Sequence, residues 1–237
     1  MRDFLEGAWK LGLGVGPTQE NQLRMYLDAL LAWNQRVNLT SVTRPEEVER
    51  FHFLDSLAIA TAIPEHLRNG CRMVDLGTGA GFPGIPLKIF FPDIELTLVE
   101  SVSKKTAFLQ HLVGALYLKG VEVLNDRAEI VARDPSRREC FDVAVSRAVA
   151  PLRVLSELVL PFCRLGGRAV LPKKGDISQE LVEAGPAVDK LGGKLIELKP
   201  VPEEVLVGQR VLVIVEKVAP SPAEYPRRPG IPAKRPL

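Results

Sequence analysis

The residues best equipped for chemistry lie in one short run, Val74-Asp75-Leu76-Gly77-Thr78-Gly79-Ala80-Gly81-Phe82-Pro83-Gly84. A β-branched stretch leads into Gly77, Gly79 and Gly81, and a helical stretch follows. Glycine lets the backbone turn at a strand's edge and lets a ligand lie where a Cβ would otherwise stand. The spacing is GxGxG. A dinucleotide fingerprint, GxGxxG, would need glycine where Phe82 stands. Pro83 and Pro86 also remove two amides that a pyrophosphate would use at the start of the next helix. The loop therefore suits a nucleoside without phosphates, such as S-adenosylmethionine, better than NAD. Asp75, two residues before Gly77, is placed to meet a ligand ammonium directly or through water. Glu100 ends the next strand, 23 residues after Gly77, where a carboxylate can accept both ribose hydroxyls. Glu100 alone fits NAD equally well.

Further candidates follow the later strands. In Asn125-Asp126-Arg127-Ala128-Glu129, the Ala128 amide and the Glu129 side chain can edge an adenine, although a plain surface turn explains the segment as well. Ser146-Arg147-Ala148 ends a strand at the position that would face a bound methyl group, and Arg147 is an unusual residue for a core edge. His52, His66 and His111 lack metal-ligand spacing. Cys71, Cys140 and Cys163 form no CxxC pair, so neither a zinc cage nor a disulfide framework is expected, and no metal is assigned. No acid/base pair stands out.

The elements that must hold these residues alternate from residue 72 onward. Expected strands are Met73–Leu76, Leu96–Val99, Val121–Leu124, Val143–Ser146, Ala169–Leu171, Leu195–Leu198 and Val211–Val215. Expected helices are 84–90, 104–118, 151–163 and 176–191. Strand and helix in alternation imply a parallel sheet covered on both faces. The last two strands have no helix between them and read as a hairpin, which puts an antiparallel strand into the sheet. Residues 1–68 read as helical. Thr18 is a possible cap of a helix over 18–34, and Thr43 with Glu46 has capping-box spacing for a second, ending near Pro64. The expected organisation is a helical cap (1–68), a catalytic domain (69–218) and a Pro-rich basic tail (219–237).

Composition bounds the partners. The chain has 237 residues, 46% hydrophobic and 25% charged, with a formal net charge of only +2. That excludes a strongly basic nucleic-acid wrapper but not a local basic patch. Six of the 19 prolines fall in residues 219–237, with four cations against one glutamate. The tail therefore carries +3 and the other 218 residues −1. Proline removes donors and fixes φ, so the tail is expected to be neither helix nor central strand but an extended basic arm, either solvated or gripping phosphate. Asp3, Glu6 and Lys10 interrupt the N-terminus where a signal peptide would need an apolar core. A soluble, cytoplasmic protein without a membrane span is expected.

With these residues in view, the sequence resembles the bacterial 16S ribosomal RNA guanine-N7 methyltransferases, the glucose-inhibited division protein B family. The likeness spans almost the whole chain. It rests on Trp33-Asn34, Asn38-Leu39-Thr40-Ser41, His52-Phe53-Leu54-Asp55-Ser56, the VDLGTGAGFPG loop, Ser146-Arg147-Ala148, Lys174-Gly175 and the YPRRPG arm of some members. The HFLDS segment combined with GTGAGFPGI is its most specific part, and Pro172-Lys173 departs from the more apolar pair usual there. The resemblance implies an α/β fold of the class I S-adenosylmethionine-dependent methyltransferases. This is a Rossmann-like, seven-stranded, mostly parallel sheet with an antiparallel last strand, plus an N-terminal helical extension. It implies methyl transfer from S-adenosyl-L-methionine, leaving S-adenosyl-L-homocysteine, to N7 of guanine 527 in reference numbering, in the decoding-centre loop of the small ribosomal subunit. Carried over by position, the cofactor residues are Gly77, Phe82, Glu100, Ser101, Val102, Ala128, Glu129 and Arg147. Asp75, Gly79 and Gly81 join them from the loop reading. Arg147 and Asn38 are the expected positioning residues at the reacting base. The expected RNA grip is Arg36, Asn38, Arg50, His52, Lys173, Lys174, Arg227 and Arg228, most of it aimed at phosphates. The enzyme is expected to act as a monomer. The competing readings are an NAD-dependent oxidoreductase, disfavoured by the glycine spacing, a non-catalytic ribosome-assembly factor, disfavoured by the intact loop, and a methyltransferase for a small molecule or protein.

Overall fold

Proline and glycine mark where the helices begin. In the computed structural model, which describes residues 1–147 and 150–237, α1 spans Arg2–Lys10 and α2 spans Pro17–Asn34. The cap of α2 is Gly16, whose amide donates to Gln19 Oε1 at 2.6 Å, so Thr18 lies inside the helix rather than capping it. The second helical run starts at Pro45, not at the Thr43–Glu46 box, with Arg44 as cap. Proline is accepted there because a first-turn amide has no intrahelical partner to lose. This run is α3 (Pro45–Val48), a π-helical turn (Glu49–Leu54) and α4 (Asp55–Ala58), closed by short 3₁₀ turns at Ile59–Ala62 and Glu65–Leu67.

The alternating part follows: β1 (Arg72–Leu76), α5 (Gly84–Phe90), β2 (Glu95–Glu100), α6 (Ser103–Ala115), β3 (Val121–Asn125), α7 (Ala128–Val131) and β4 (Phe141–Val145). Then come α8 (Leu152–Val159), β5 (Cys163–Lys174), α9 (Ser178–Lys190), β6 (Gly193–Val201) and β7 (Arg210–Lys217). All seven expected strands are present. The largest boundary error is β5, which runs far beyond Ala169–Leu171 because it pairs with β7 from Arg168 to Lys174.

The sheet order is β3-β2-β1-β4-β5-β7-β6, with β7 antiparallel to both neighbours. The chain starts in the middle at β1, moves outward through β2 and β3, and returns to β4 on the other side of β1. This reversal opens a crevice at the carboxyl ends of the strands, the ligand-binding edge of open α/β sheets. Glu100 ends β2 on that edge, and Gly77 and Arg147 lie just beyond the ends of β1 and β4.

Two apolar layers enclose the sheet. Phe4, Tyr26, Leu30, Phe53 and Leu57 from the N-terminal helices share one core with Met73, Leu96, Leu98 and Phe108. The N-terminal helices thus form one covering layer of the sheet, not a separately packed body. The opposite face is covered by α8 and α9, with Leu152, Leu155, Val188 and the tail residue Tyr225. Cys71 and Cys163 are buried free thiols, with pKa pushed by burial to about 12, whereas Cys140 is only half-buried. No helix among the described residues is long and apolar enough to cross a membrane.

The tail departs from expectation. It is docked, and residues Ile231–Lys234 form a helical turn, α10. Pro232 lies in its first turn, where a missing amide costs nothing. Proline leaves such a segment short of amide donors, and Arg133 and Arg138 of the sheet domain take up the carbonyls of Ser221, Tyr225 and Pro226.

Candidate active site

Two cavities meet at Gly77. The smaller, of about 260 Å³, is lined by Gly77, Glu100, Ser101, Ala128, Glu129 and Ser146, together with Gly230, Pro232 and Ala233 of the tail. The larger, of about 560 Å³, is lined by Gly77, Thr78, Gly79 and Phe82 of the loop, by Thr40, Phe51, His52 and Asp55, and by Lys105, Arg147, Lys173, Lys174 and Arg210.

The glycines do different jobs. Gly77 and Gly79 have φ of +65° and +62°, a left-handed conformation that favours glycine. A Cβ at Gly79 would meet only the Gly77 carbonyl, at 4.0 Å, so it would point into the cavity. A Cβ at Gly81 would instead lie 2.7 Å from Tyr26 Oη and 2.8 Å from Ile85 Cγ1. Gly81 therefore serves close packing and is corrected from a cofactor contact to a structural glycine.

Asp75, expected to meet a ligand ammonium, stands instead behind the loop, with its Oδ1 buried and without a hydrogen-bond partner among the described residues. Its side chain is fully buried behind the loop, where Oδ2 accepts from Thr78 Oγ1 at 2.6 Å and from the Gly84 amide at 2.8 Å. It shapes the turn and lies on neither cavity wall. Burial raises its pKa to about 6, against the lowering effect of those two hydrogen bonds. Glu100 does reach the site: Oε2 accepts from the Gly79 amide at 3.0 Å and Oε1 from the Val102 amide at 2.8 Å. Each carboxylate oxygen has a second lone pair to offer a ribose hydroxyl. Val102 is half-exposed and stands beside the smaller cavity rather than on its wall.

On the larger side, Arg147 is locked in place. Its Nη1 donates to Asp55 Oδ2 at 2.8 Å and to the Phe51 carbonyl at 2.9 Å, and its Nη2 lies 3.2 Å from His52 Nδ1. The guanidinium carbon is 5.2 Å from the Phe82 centroid. Asp55 also faces Arg210, with Nε 3.2 Å from Oδ1. His52 and Asp55 are thus joined through this shared arginine. Burial, and then the Arg147 charge, lower the His52 pKa to about 4, so the ring is neutral at neutral pH. Nδ1 also lies 3.1 Å from the Phe51 carbonyl, so the tautomer decides whether it donates there or accepts from Arg147, while Nε2 lies 2.8 Å from Thr40 Oγ1.

Phe82 stacks on Tyr26 (5.1 Å) and His52 (4.6 Å) and is only 5% exposed. It has no open face for an incoming base. Its contact is with the walls of the cofactor loop.

The RNA set changes as well. Lys174 is exposed at the larger cavity, and Lys173 lines it while donating to Glu180 Oε1 at 2.6 Å and to the Ala150 carbonyl at 2.9 Å. Asn38 and Arg36 are exposed on the loop after α2 but do not line the cavity; Leu39 and Thr40 do. Asn34 fixes that loop, its Oδ1 accepting from the Leu39 and Thr40 amides. Arg50 opens instead onto a groove shared with Glu46, Glu47, Glu49 and Glu204, an acidic setting that repels phosphate. Arg227 is bound to the buried Glu157 and has left the surface set, whereas Arg228 is exposed. Ala148 falls outside the described residues. Sequence reasoning missed Tyr26, whose hydroxyl donates to the Ala80 carbonyl at 2.5 Å, and Arg210. Tyr26 lies inside the expected helix over 18–34, and Arg210 lies one residue before the expected strand Val211–Val215. Lys105, in α6, also lines the cavity.

The residues fit S-adenosylmethionine. The smaller cavity offers a nucleoside the Glu100 carboxylate, held by the Gly79 amide, and at Gly79 the adjoining larger cavity keeps open the space that a Cβ would fill. Residues 19–205 match the family model described as rRNA small subunit methyltransferase G, GidB. The chain belongs to this family. The ribosomal RNA small subunit methyltransferase G of Roseiflexus castenholzii is 50% identical, with the alignment covering 100% of both chains. The protein of the same name from a Dehalococcoides mccartyi strain is 43% identical over 100% of both. Among solved structures, a variant of the 16S rRNA (adenine(1408)-N(1))-methyltransferase from Catenulisporales acidiphilia, with cosubstrate SAM, shares the fold at TM-score 0.54 and 14% identity. That match covers 70% of this chain and 93% of the other. The family members are S-adenosylmethionine-dependent rRNA methyltransferases, and so is this chain. The oxidoreductase reading is thereby set aside.

Proposed function

We propose that the two cavities divide the reaction between them. The smaller receives the nucleoside half of S-adenosylmethionine, with Glu100 accepting from the ribose hydroxyls and Ala128, Ser101 and Glu129 bordering the adenine. The larger admits one guanine of the decoding-centre loop of small-subunit rRNA, whose N7 is brought to the Gly77 junction. When bound, the cofactor supplies a sulfonium methyl group that guanine N7, with a lone pair and no proton, attacks without a general base. The site's residues accordingly align and desolvate rather than move protons. Near-attack alignment of this kind can supply on the order of 7–11 kcal/mol.

The base becomes cationic as the methyl group arrives, so a bare guanidinium beside N7 would oppose the reaction. Arg147 therefore holds an oxygen: a phosphate, the guanine carbonyl or the cofactor carboxylate. Asp55, between Arg147 and Arg210, offsets part of the positive charge. Lys105, Lys174 and Arg210 grip phosphates at the rim, while Asn38 and Arg36 meet RNA further out. The protein works in the cytoplasm as a monomer. The observation carrying this reading is the junction itself, where a carboxylate-bearing cavity meets one lined by five cations and a single carboxylate, Asp55. Methyl transfer to small-subunit rRNA should be lost in Glu100→Gln through weaker cofactor binding. Arg147→Ala should lose turnover or cofactor affinity. An Arg147→Ala enzyme with both intact would remove its positioning role.

A further inference from the structure

One wall of the smaller cavity comes from neither the glycine loop nor the sheet. Gly230, Pro232 and Ala233 close it from outside. They belong to the tail, and the tail's course is fixed at many points. Arg138 donates to the Ser221 carbonyl at 2.8 Å and to that of Tyr225 at 2.7 Å, and Arg133 donates to that of Pro226 at 2.7 Å. The fully buried Glu157 accepts from Arg227 three ways, from its backbone amide (2.8 Å), Nε (2.9 Å) and Nη2 (2.6 Å). A carboxylate is kept in the interior only when it is matched in this manner. Arg227 Nη2 also holds the Arg235 carbonyl at 2.8 Å, beyond the α10 turn. Finally, the Gly230 amide donates to Glu129 Oε1 at 2.9 Å, at the rim of the cavity.

We propose that residues 230–233 are a cofactor-binding element, the outer wall of the nucleoside pocket, and that Glu129 acts by holding this wall as well as by bordering the adenine. The assignment rests on reading the smaller cavity as the nucleoside site. It gives the basic tail a different job from gripping RNA. Its most constrained cation, Arg227, is engaged inward, and the backbone it carries is aimed at the pocket beside Glu100 and Gly77. Affinity for S-adenosylmethionine thus depends on a segment more than 120 residues downstream of Glu100. The arm lowers the cost of binding by offering a preformed surface to the adenosine.

The test is calorimetric titration of S-adenosylmethionine into the full-length chain and three variants. Ala233 is exposed yet lines the cavity, so Ala233→Phe should leave the melting temperature unchanged and weaken cofactor binding about tenfold or more. Glu157→Gln with Arg227→Gln releases the arm without stranding a buried charge and should also weaken binding. Glu224→Ala, exposed on the same arm, should leave cofactor affinity as it was. In the unaltered chain, added cofactor should slow hydrogen exchange at the Gly230 amide. Ala233→Phe binding within about twofold of the unaltered chain overturns the proposal. So does tighter binding by the released arm, which would make it a competitor for the pocket. Failure of the unaltered chain to bind would overturn the site reading, and the wall with it.

Discussion

At the scale of single residues, protonation separates the two groups that anchor the site. His52 has a folded pKa lowered from 6.5 to about 4, by burial first and Arg147 second. Between those values the unfolded chain binds the extra proton, so this histidine's contribution to stability is lost as pH falls from 6.5 toward 4. Asp75 runs the other way. Its folded pKa is raised from 3.8 to about 6 by burial, so the folded state holds the proton and stability declines as pH rises through that window. His52→Gln should flatten the acid-side loss and Asp75→Asn the opposing slope, as read from denaturation midpoints at a series of pH values. An NMR titration of His52 with a midpoint above 6 would contradict the packed, neutral ring. Glu100, Glu129 and Arg147 could be named from the sequence because acids and a cation at strand ends are unusual there. Tyr26 and Arg210 could not, since their role comes from packing between elements far apart in the chain.

At the scale of elements, one motif holds glycines with opposite demands. Gly79→Ala places a methyl group at the wall of the larger cavity and strains the amide that holds Glu100, at a backbone cost of about 1–2 kcal/mol from its positive φ. Cofactor affinity should fall by about tenfold or more, while the melting temperature drops only about 2–8 °C. Gly81→Ala drives a methyl group against Tyr26 and Ile85 and should instead destabilise the fold. Equal effects of the two on binding and on melting would refute this division. The GxGxG spacing revealed a bend and a ligand edge, but not which glycine faces which side, because that is decided by α2 packing behind the loop. The same limit explains the helix starts. Thr18 and Thr43 carry good capping chemistry, yet prolines at 17 and 45 set the first turns. The tail's prolines excluded a strand but wrongly excluded a helix, since Pro232 is accepted in the first turn of α10, and they did not reveal that Arg133 and Arg138 would take up the tail's carbonyls.

At the scale of the whole molecule, charge is divided between surface and interior more unevenly than the net +2 suggests. Binding to substrate RNA should weaken as salt rises, through counterion release, and Lys174→Ala or Arg210→Ala should each lower the magnitude of the log–log slope by about 1. Arg227→Ala should leave that slope unchanged. It should cost about 3 kcal/mol of stability, because Glu157 would remain buried without its partner. A salt slope that falls with Arg227→Ala would return the tail to the RNA. Strand number and the antiparallel β7 were legible from alternation and the final hairpin. The shared core between the N-terminal helices and the sheet was not, because helical periodicity shows an apolar face without showing what covers it. The central claim is that this molecule delivers a methyl group to one guanine N7 of small-subunit rRNA. The most direct measurement is mass-spectrometric mapping of N7-methylguanine in that RNA after incubation with S-adenosylmethionine, with and without the protein. A single new N7-methylguanine in the decoding-centre loop is the expected result. An unmethylated loop, or methyl groups scattered over many guanines, would contradict the account.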